Sequence, residues 1–152
     1  MPAEQTTLLF HSAHPGVPPG FFKKQARAFA KRLESEVTAG RPFTCLITDE
    51  AELRRLNRDF RKKDCATDVL SFPSKQTLGF LGDIAISLPH ARRQAEQYGH
   101  DAGTEIEILM LHGVLHLLGM NHEKDRGQMT RAENKWRVVL GLPGGLIARV
   151  RS

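Results

Sequence analysis

The chain is poor in cysteine. Cys45 and Cys65 are the only two among 152 residues, which excludes a disulfide framework. Cys45 falls in an apolar, strand-like run and reads as a core thiol, whereas Cys65 falls in a polar turn. No stretch approaches the roughly 18 consecutive apolar residues of a membrane-spanning helix. The first residues lack the basic start, apolar run and small-residue site of a secretory signal. A cytoplasmic protein with no membrane association is expected. Internal repeats and domain-scale linkers are absent as well, so residues 1–152 are expected to form one domain, with the Gly/Pro-containing tail from about 143 frayed.

What the chain has in excess is positive charge: 22 Lys and Arg against 17 Asp and Glu, a net charge of +5. Such a balance favours polyanionic partners such as nucleic acid without requiring one. The densest run of cations is Arg54, Arg55, Arg58, Arg61, Lys62 and Lys63. Hydrophobic content of 40% and charged content of 26% are ordinary for a globular chain long enough to bury a core.

Hydrophobic periodicity divides the chain into about four strands and five helices. Thr6–Phe10, Phe43–Thr48, the run from Thr67 to Pro73 and Leu81–Ser87 read as strands, the last apolar enough to pair centrally. Phe22, Ala26, Phe29, Ala30, Leu33 and Val37 follow helical spacing, with Lys23, Lys24, Arg27, Lys31 and Arg32 on the other face. Asp49, with Glu52 three residues on, is a capping signal for a helix with Leu53, Leu56 and Phe60 inward. Pro89 suits the first turn of a helix ending before Gly99, and Met129, Trp136, Val139 and Leu140 mark a last helix ending near Gly141. Helices between strands point to an α+β fold, a mixed sheet covered by helices.

The remaining helix carries the chemistry. Thr104 to Leu118 is strongly apolar, with Thr104 and Glu107 spaced as a capping box. Within it begins His112-Gly113-Val114-Leu115-His116-Leu117-Leu118-Gly119-Met120-Asn121-His122, which holds three of the seven histidines. Positions i and i+4 share a helix face, so His112 and His116 aim two imidazoles at one point. Gly119 accepts the left-handed conformation that ends a helix, and the reversal brings His122 toward the same point. Three protein nitrogens and one open position describe a catalytic zinc site. The plain alternative is a set of hydrogen-bonded histidines. It has to place two polar rings on one face of an apolar helix, at about 1–3 kcal/mol for each buried group left without a partner. The spacing H-x-x-x-H-x-x-G-x-x-H is that of the metzincin peptidases, except that Gly113 stands where those enzymes carry the glutamate base. Asp68 and Asp83 are candidates either to orient a ligand histidine or to cap turns. His11, His14, His90 and His100 are expected at the surface.

The eleven-residue histidine stretch resembles the signature of the YbeY family of bacterial endoribonucleases. Two further stretches agree: Arg61-Lys62-Lys63-Asp64 through Thr67-Asp68-Val69-Leu70-Ser71-Phe72-Pro73, and Leu81-Gly82-Asp83-Ile84-Ala85-Ile86-Ser87. The resemblance implies a zinc-dependent endoribonuclease that prefers single-stranded RNA, acts in ribosomal RNA maturation and ribosome quality control, and meets the ribosome or its associated proteins. It further implies that His112, His116 and His122 hold one Zn2+ and that Arg61 acts at the active site. The family usually has Tyr-Asp before the third histidine, where this chain has Met120-Asn121, so carboxylate orientation of a ligand from there is in question. Two rival functions remain: a non-catalytic, zinc-stabilised factor that binds ribosomal RNA, and a metallopeptidase drawing its base from elsewhere.

Overall fold

The structure, a computed structural model, describes residues 5–11, 22–65, 67–75, 79–121 and 123–143. In chain order its elements are β1 (Thr7–Phe10), α1 (Lys23–Glu36), β2 (Thr44–Thr48), α2 (Glu50–Arg61), β3 (Val69–Pro73), β4 (Gly82–Ser87), α3 (Leu88–Tyr98), α4 (Ala102–Leu117) and α5 (Gln128–Leu140). The expected α+β architecture of four strands and five helices is present among the described residues. The expectation of a frayed tail concerns residues 144–152, which lie outside the described residues.

The strands form one mixed sheet in the order β1-β2-β4-β3. β1, β2 and β4 run parallel, and β3 is antiparallel to β4 at the edge. The strand period of two splits the side chains between two faces. Cys45, Ile47, Ile84 and Ile86 join the main core with α1 and α4, while Leu70, Ala85 and Leu53 form a smaller cluster beneath α2. Burial in the main core pushes the Cys45 thiol up to about 12, so it is an inert apolar filler. Phe60, expected on the inner face of α2, is 66% exposed. Its ring packs edge-on to Phe72 instead, because the polar Asn57 takes the inward position beside Leu53.

α4 is the hub. It is apolar on every side, as a helix enclosed by other elements must be, and it packs against β3, β4, α1, α3 and α5. Ile106, Leu109, Met110, Leu111, Val114 and Leu115 are all essentially inaccessible. Fully burying each larger side chain is worth about 1.5–3 kcal/mol. Its start differs from the capping box expected at Thr104 and Glu107. Asp101 is the N-cap, its carboxylate accepting the Thr104 N–H at 2.7 Å, and Glu107 instead accepts a hydrogen bond from Gln25 of α1. An aspartate three residues before the proposed cap out-competes it because its oxygen reaches the N3 amide while Ala102 and Gly103 continue the helix.

That bond has a measurable consequence. The backbone N–H of Thr104 is the main cause holding the Asp101 carboxyl below the usual aspartate range. A depressed carboxylate contributes stability above its unfolded pKa and loses it as pH falls through the folded value. Replacing Asp101 by Ala is expected to lower unfolding free energy by about 1 kcal/mol at neutral pH. The difference from wild type should shrink as the pH drops below the ordinary aspartate range, read by urea denaturation across pH.

Candidate metal centre

The last two turns of α4 bring two imidazoles together. His112 Nε2 and His116 Nε2 lie 3.1 Å apart, their rings 4.7 Å between centroids and steeply inclined. Two nitrogens on a tetrahedral zinc at about 2.0–2.1 Å would be roughly 3.3 Å apart. The pair is thus set for a shared ion with almost no adjustment, and zinc fits the donor set present. His122, the third expected ligand, lies outside the described residues. Among the described residues, no group of three His, Cys, Asp or Glu side chains is placed to hold an ion.

What fixes the pair is a residue the sequence reading passed over. His112 Nδ1 donates to Glu133 Oε2 at 2.9 Å, both side chains being almost wholly buried. A carboxylate only accepts, so the proton sits on Nδ1 and the Nε2 lone pair is turned outward, toward His116. A carboxylate behind a ligating imidazole sets its tautomer, orients its ring and raises its basicity. Glu133 is carried there by α5, whose buried residues are Met129, Glu133 and Leu140. The start of α5 is tied down by Asp125, whose two carboxylate oxygens accept the N–H groups of Gly127 and Met129. A signal did exist: a glutamate at the i+4 position from Met129 falls on the apolar stripe of an amphipathic helix, where a charge needs a partner.

Asp68 and Asp83 have partners of their own among the described residues. Asp68 Oδ1 accepts its neighbour's amide, Val69 N–H, at 2.8 Å, and Asp83 accepts from the Thr44 hydroxyl across the sheet. Asn121 accepts the backbone N–H of Glu123 at 3.0 Å; among the described residues, the carboxylate bonded to an imidazole of the pair is that of Glu133, on α5. His100, expected at the surface, is mostly covered and pairs with the inaccessible Glu105 at 2.6 Å. Burial there reflects the packing of the α3–α4 junction, where the Glu105 carboxylate needs a partner.

The helix ends as the glycine implied. Gly119 has φ +94°, Met120 N–H bonds Leu115 O, and Gly119 N–H bonds His116 O. These are the two bonds of a Schellman motif. Gly113 has a different task. A Cβ placed there would come within 2.9 Å of Ile84 on β4, and its carbonyl accepts the Ser71 hydroxyl of β3 at 3.0 Å. Position 113 therefore faces the sheet, away from the imidazole pair. The residue that replaces the metzincin base is a close-packing glycine.

The two histidines open onto a cleft of about 650 Å3 between the end of α4, the outer edge of β3 and the loop after α2. Arg61 and Lys63 line it, with Asn57, Cys65 and Asp68. The loop is held by Lys62 in the left-handed conformation at the end of α2 and by Asn57 donating to the Cys65 carbonyl. Half of the cation cluster is ion-paired, Arg54 with Asp64, Arg55 with Glu52 and Asp59, Arg58 with Asp59, and Lys62 donates to the Asp59 carbonyl. Among the described residues, Arg61 and Lys63 form no ion pair. Of six neighbouring cations, these two are the ones the fold leaves to the cleft.

A four-stranded mixed sheet packed against a buried helix, whose end sets a carboxylate-backed imidazole beside a second one at a cation-bearing cleft, defines the class as an α+β protein with a paired-histidine cleft. Within that class, the family model described as Endoribonuclease YbeY matches residues 18–140, and the chain belongs to the YbeY family. Proteins named Endoribonuclease YbeY are similar to it: that of Solibacter usitatus is 65% identical over 124 residues, covering 82% of this chain and 83% of its own. That of Nautilia profundicola is 49% identical over 105 residues, covering 68% and 76%. The solution structure of a Thermotoga maritima protein shares the fold, with a TM-score of 0.58 at 21% identity over 85% of each chain. No helix among the described residues is long and apolar enough to cross a membrane.

Proposed function

We propose that residues 1–152 act as one domain, a zinc-dependent endoribonuclease that cleaves single-stranded RNA in ribosomal RNA maturation and ribosome quality control in the cytoplasm. The observation that carries this reading is the Glu133–His112–His116 arrangement, with two Nε2 atoms 3.1 Å apart at the wall of a cleft. His112, His116 and His122 hold the ion. When bound, zinc supplies Lewis-acid charge and acidifies water.

The chain's own groups do the rest. Glu133 keeps the His112 proton on Nδ1. Arg61 presents a planar fork of N–H donors, suited to two oxygens of one phosphodiester and to the negative charge that grows there during cleavage. Lys63 adds a compact second cation for the neighbouring phosphate. The family name of the relatives supports RNA as the substrate. Gly113 counts against the peptidase alternative: facing Ile84, that position cannot supply a base to the cleft.

The test pairs a single-stranded RNA with an unstructured protein substrate, each with and without chelator. RNA cleavage that chelator abolishes, with the protein left intact, is the expected result. RNA binding with a steep salt dependence and no cleavage would favour a non-catalytic binding factor. Replacing Arg61 by Ala should leave bound zinc and folding unchanged while lowering kcat/KM about 100-fold, the size of effect seen when one donor to a developing charge is removed. Full-rate cleavage by that variant would reduce Arg61 to a surface charge.

A further inference from the structure

One wall of the cleft that Arg61 and Lys63 line is a sheet edge. β3 is the last strand of the sheet, and Val69, Leu70, Ser71 and Pro73 line the cleft. In an antiparallel pair, residues alternate between bonding the partner strand and turning their peptide groups away from it. The alternation is fixed here at both ends: Ser87 N–H bonds the Asp68 carbonyl, and Ser74 N–H bonds the Leu81 carbonyl. In the register Leu70↔Ala85 and Phe72↔Asp83, the even positions bond β4. The peptide groups of Val69, Ser71 and Pro73 therefore point out along the cleft.

That exposed edge is unequal in donors and acceptors. The Val69 N–H is already taken by Asp68 Oδ1, and Pro73 has no N–H. Of the outward groups, one donor remains, Ser71 N–H, beside three carbonyls. A peptide strand adding to an edge needs donors and acceptors in alternation, so blocking the donors discourages strand addition. The same edge suits a ligand that brings hydrogen-bond donors of its own. Ribose does: its 2′-hydroxyl donates, and it is the group by which a protein separates RNA from DNA at a given site.

We infer that the β3 edge is the ribose-reading wall of the cleft, where the Val69 and Ser71 carbonyls accept 2′-hydroxyls of an extended RNA strand whose phosphates face Arg61 and Lys63. Carbonyls two residues apart on a strand are spaced by about 6.6 Å, which suits successive riboses of a stretched strand. Every nucleotide carries the hydroxyl, so such reading is independent of base sequence and requires an unpaired, pliable strand. The inference rests on the RNA reading of the site and deepens it.

The experiment measures equilibrium binding to the intact protein, in chelator to prevent cleavage, of one sequence made as RNA, as DNA and as fully 2′-fluoro RNA. Fluorine keeps the ribose pucker of RNA but cannot donate. Two lost hydrogen bonds predict about 5–150-fold weaker binding for both DNA and 2′-fluoro strands. The Ser71 amide is followed by hydrogen exchange, and RNA is expected to slow it. A 2′-fluoro strand that binds as tightly as RNA would assign any preference to strand shape and overturn the inference. So would Ser71 exchange unchanged by RNA, or slowed by an unstructured peptide and not by RNA. Metal-dependent RNA cleavage without 2′-hydroxyl-dependent binding sinks this inference alone; absence of both RNA binding and cleavage sinks the nuclease reading beneath it.

Discussion

Replacing Glu133 by Ala is expected to weaken zinc binding about 10–100-fold without touching a metal ligand. The variant leaves the His112 Nδ1–H without its 2.9 Å acceptor in a buried setting, and the ring is then free to present either nitrogen. An unpaired buried donor also costs about 1–3 kcal/mol, so the midpoint of thermal unfolding falls as well. Glu133→Gln separates the two effects. Its amide oxygen can still accept from Nδ1–H, so most stability returns, while the loss of carboxylate charge leaves part of the affinity deficit. Metal titration with a competing chromogenic chelator reads the affinity. Unaltered zinc affinity in Glu133→Ala would make the Glu133–His112 bond a core contact and nothing more.

The second large effect is at Gly113. Restoring the glutamate that metzincins carry there is expected to abolish stable folding, and no peptidase activity should appear. The first side-chain carbon already meets Ile84 at 2.9 Å, and a carboxylate beyond it would be forced between helix and sheet, where burying an unpaired charge costs several kcal/mol. Even Gly113→Ala should be destabilising. Alanine gains roughly 1 kcal/mol of helix propensity over glycine, but overpacking a helix–sheet contact costs about 1–3 kcal/mol. The two nearly cancel at the low end, so the decisive measurement is a double-mutant cycle. Gly113→Ala should be better tolerated on an Ile84→Ala background than alone, by an interaction energy of about 0.5–3 kcal/mol. Additive effects would mean the close approach does not hold.

The histidine helix was legible because two periodicities agreed. An apolar run at helical spacing and an i, i+4 histidine pair specify one face, and Gly119 then took the left-handed turn expected of it. β4 as a central strand and Gly141 as the stop of α5 were legible for the same local reasons. Thr104 was misread as the cap because a capping box is a pattern of residue types, while the cap itself, Asp101, depends on which oxygen reaches the third amide. Phe60 was misread because helical spacing alone does not say that Asn57 will turn inward to hold the Cys65 loop. Glu133 lies 21 residues from His112, and nothing local links the two. Only the packing of α5 onto α4 brings that carboxylate to the imidazole.

Zinc content measured by mass spectrometry on protein purified without added metal, together with cleavage of a single-stranded RNA, compares wild type with His116→Ala. One zinc per wild-type chain and chelator-sensitive cleavage, both lost in a folded His116→Ala, are the predicted results. A His116→Ala protein that keeps its zinc and still cuts RNA would contradict the account.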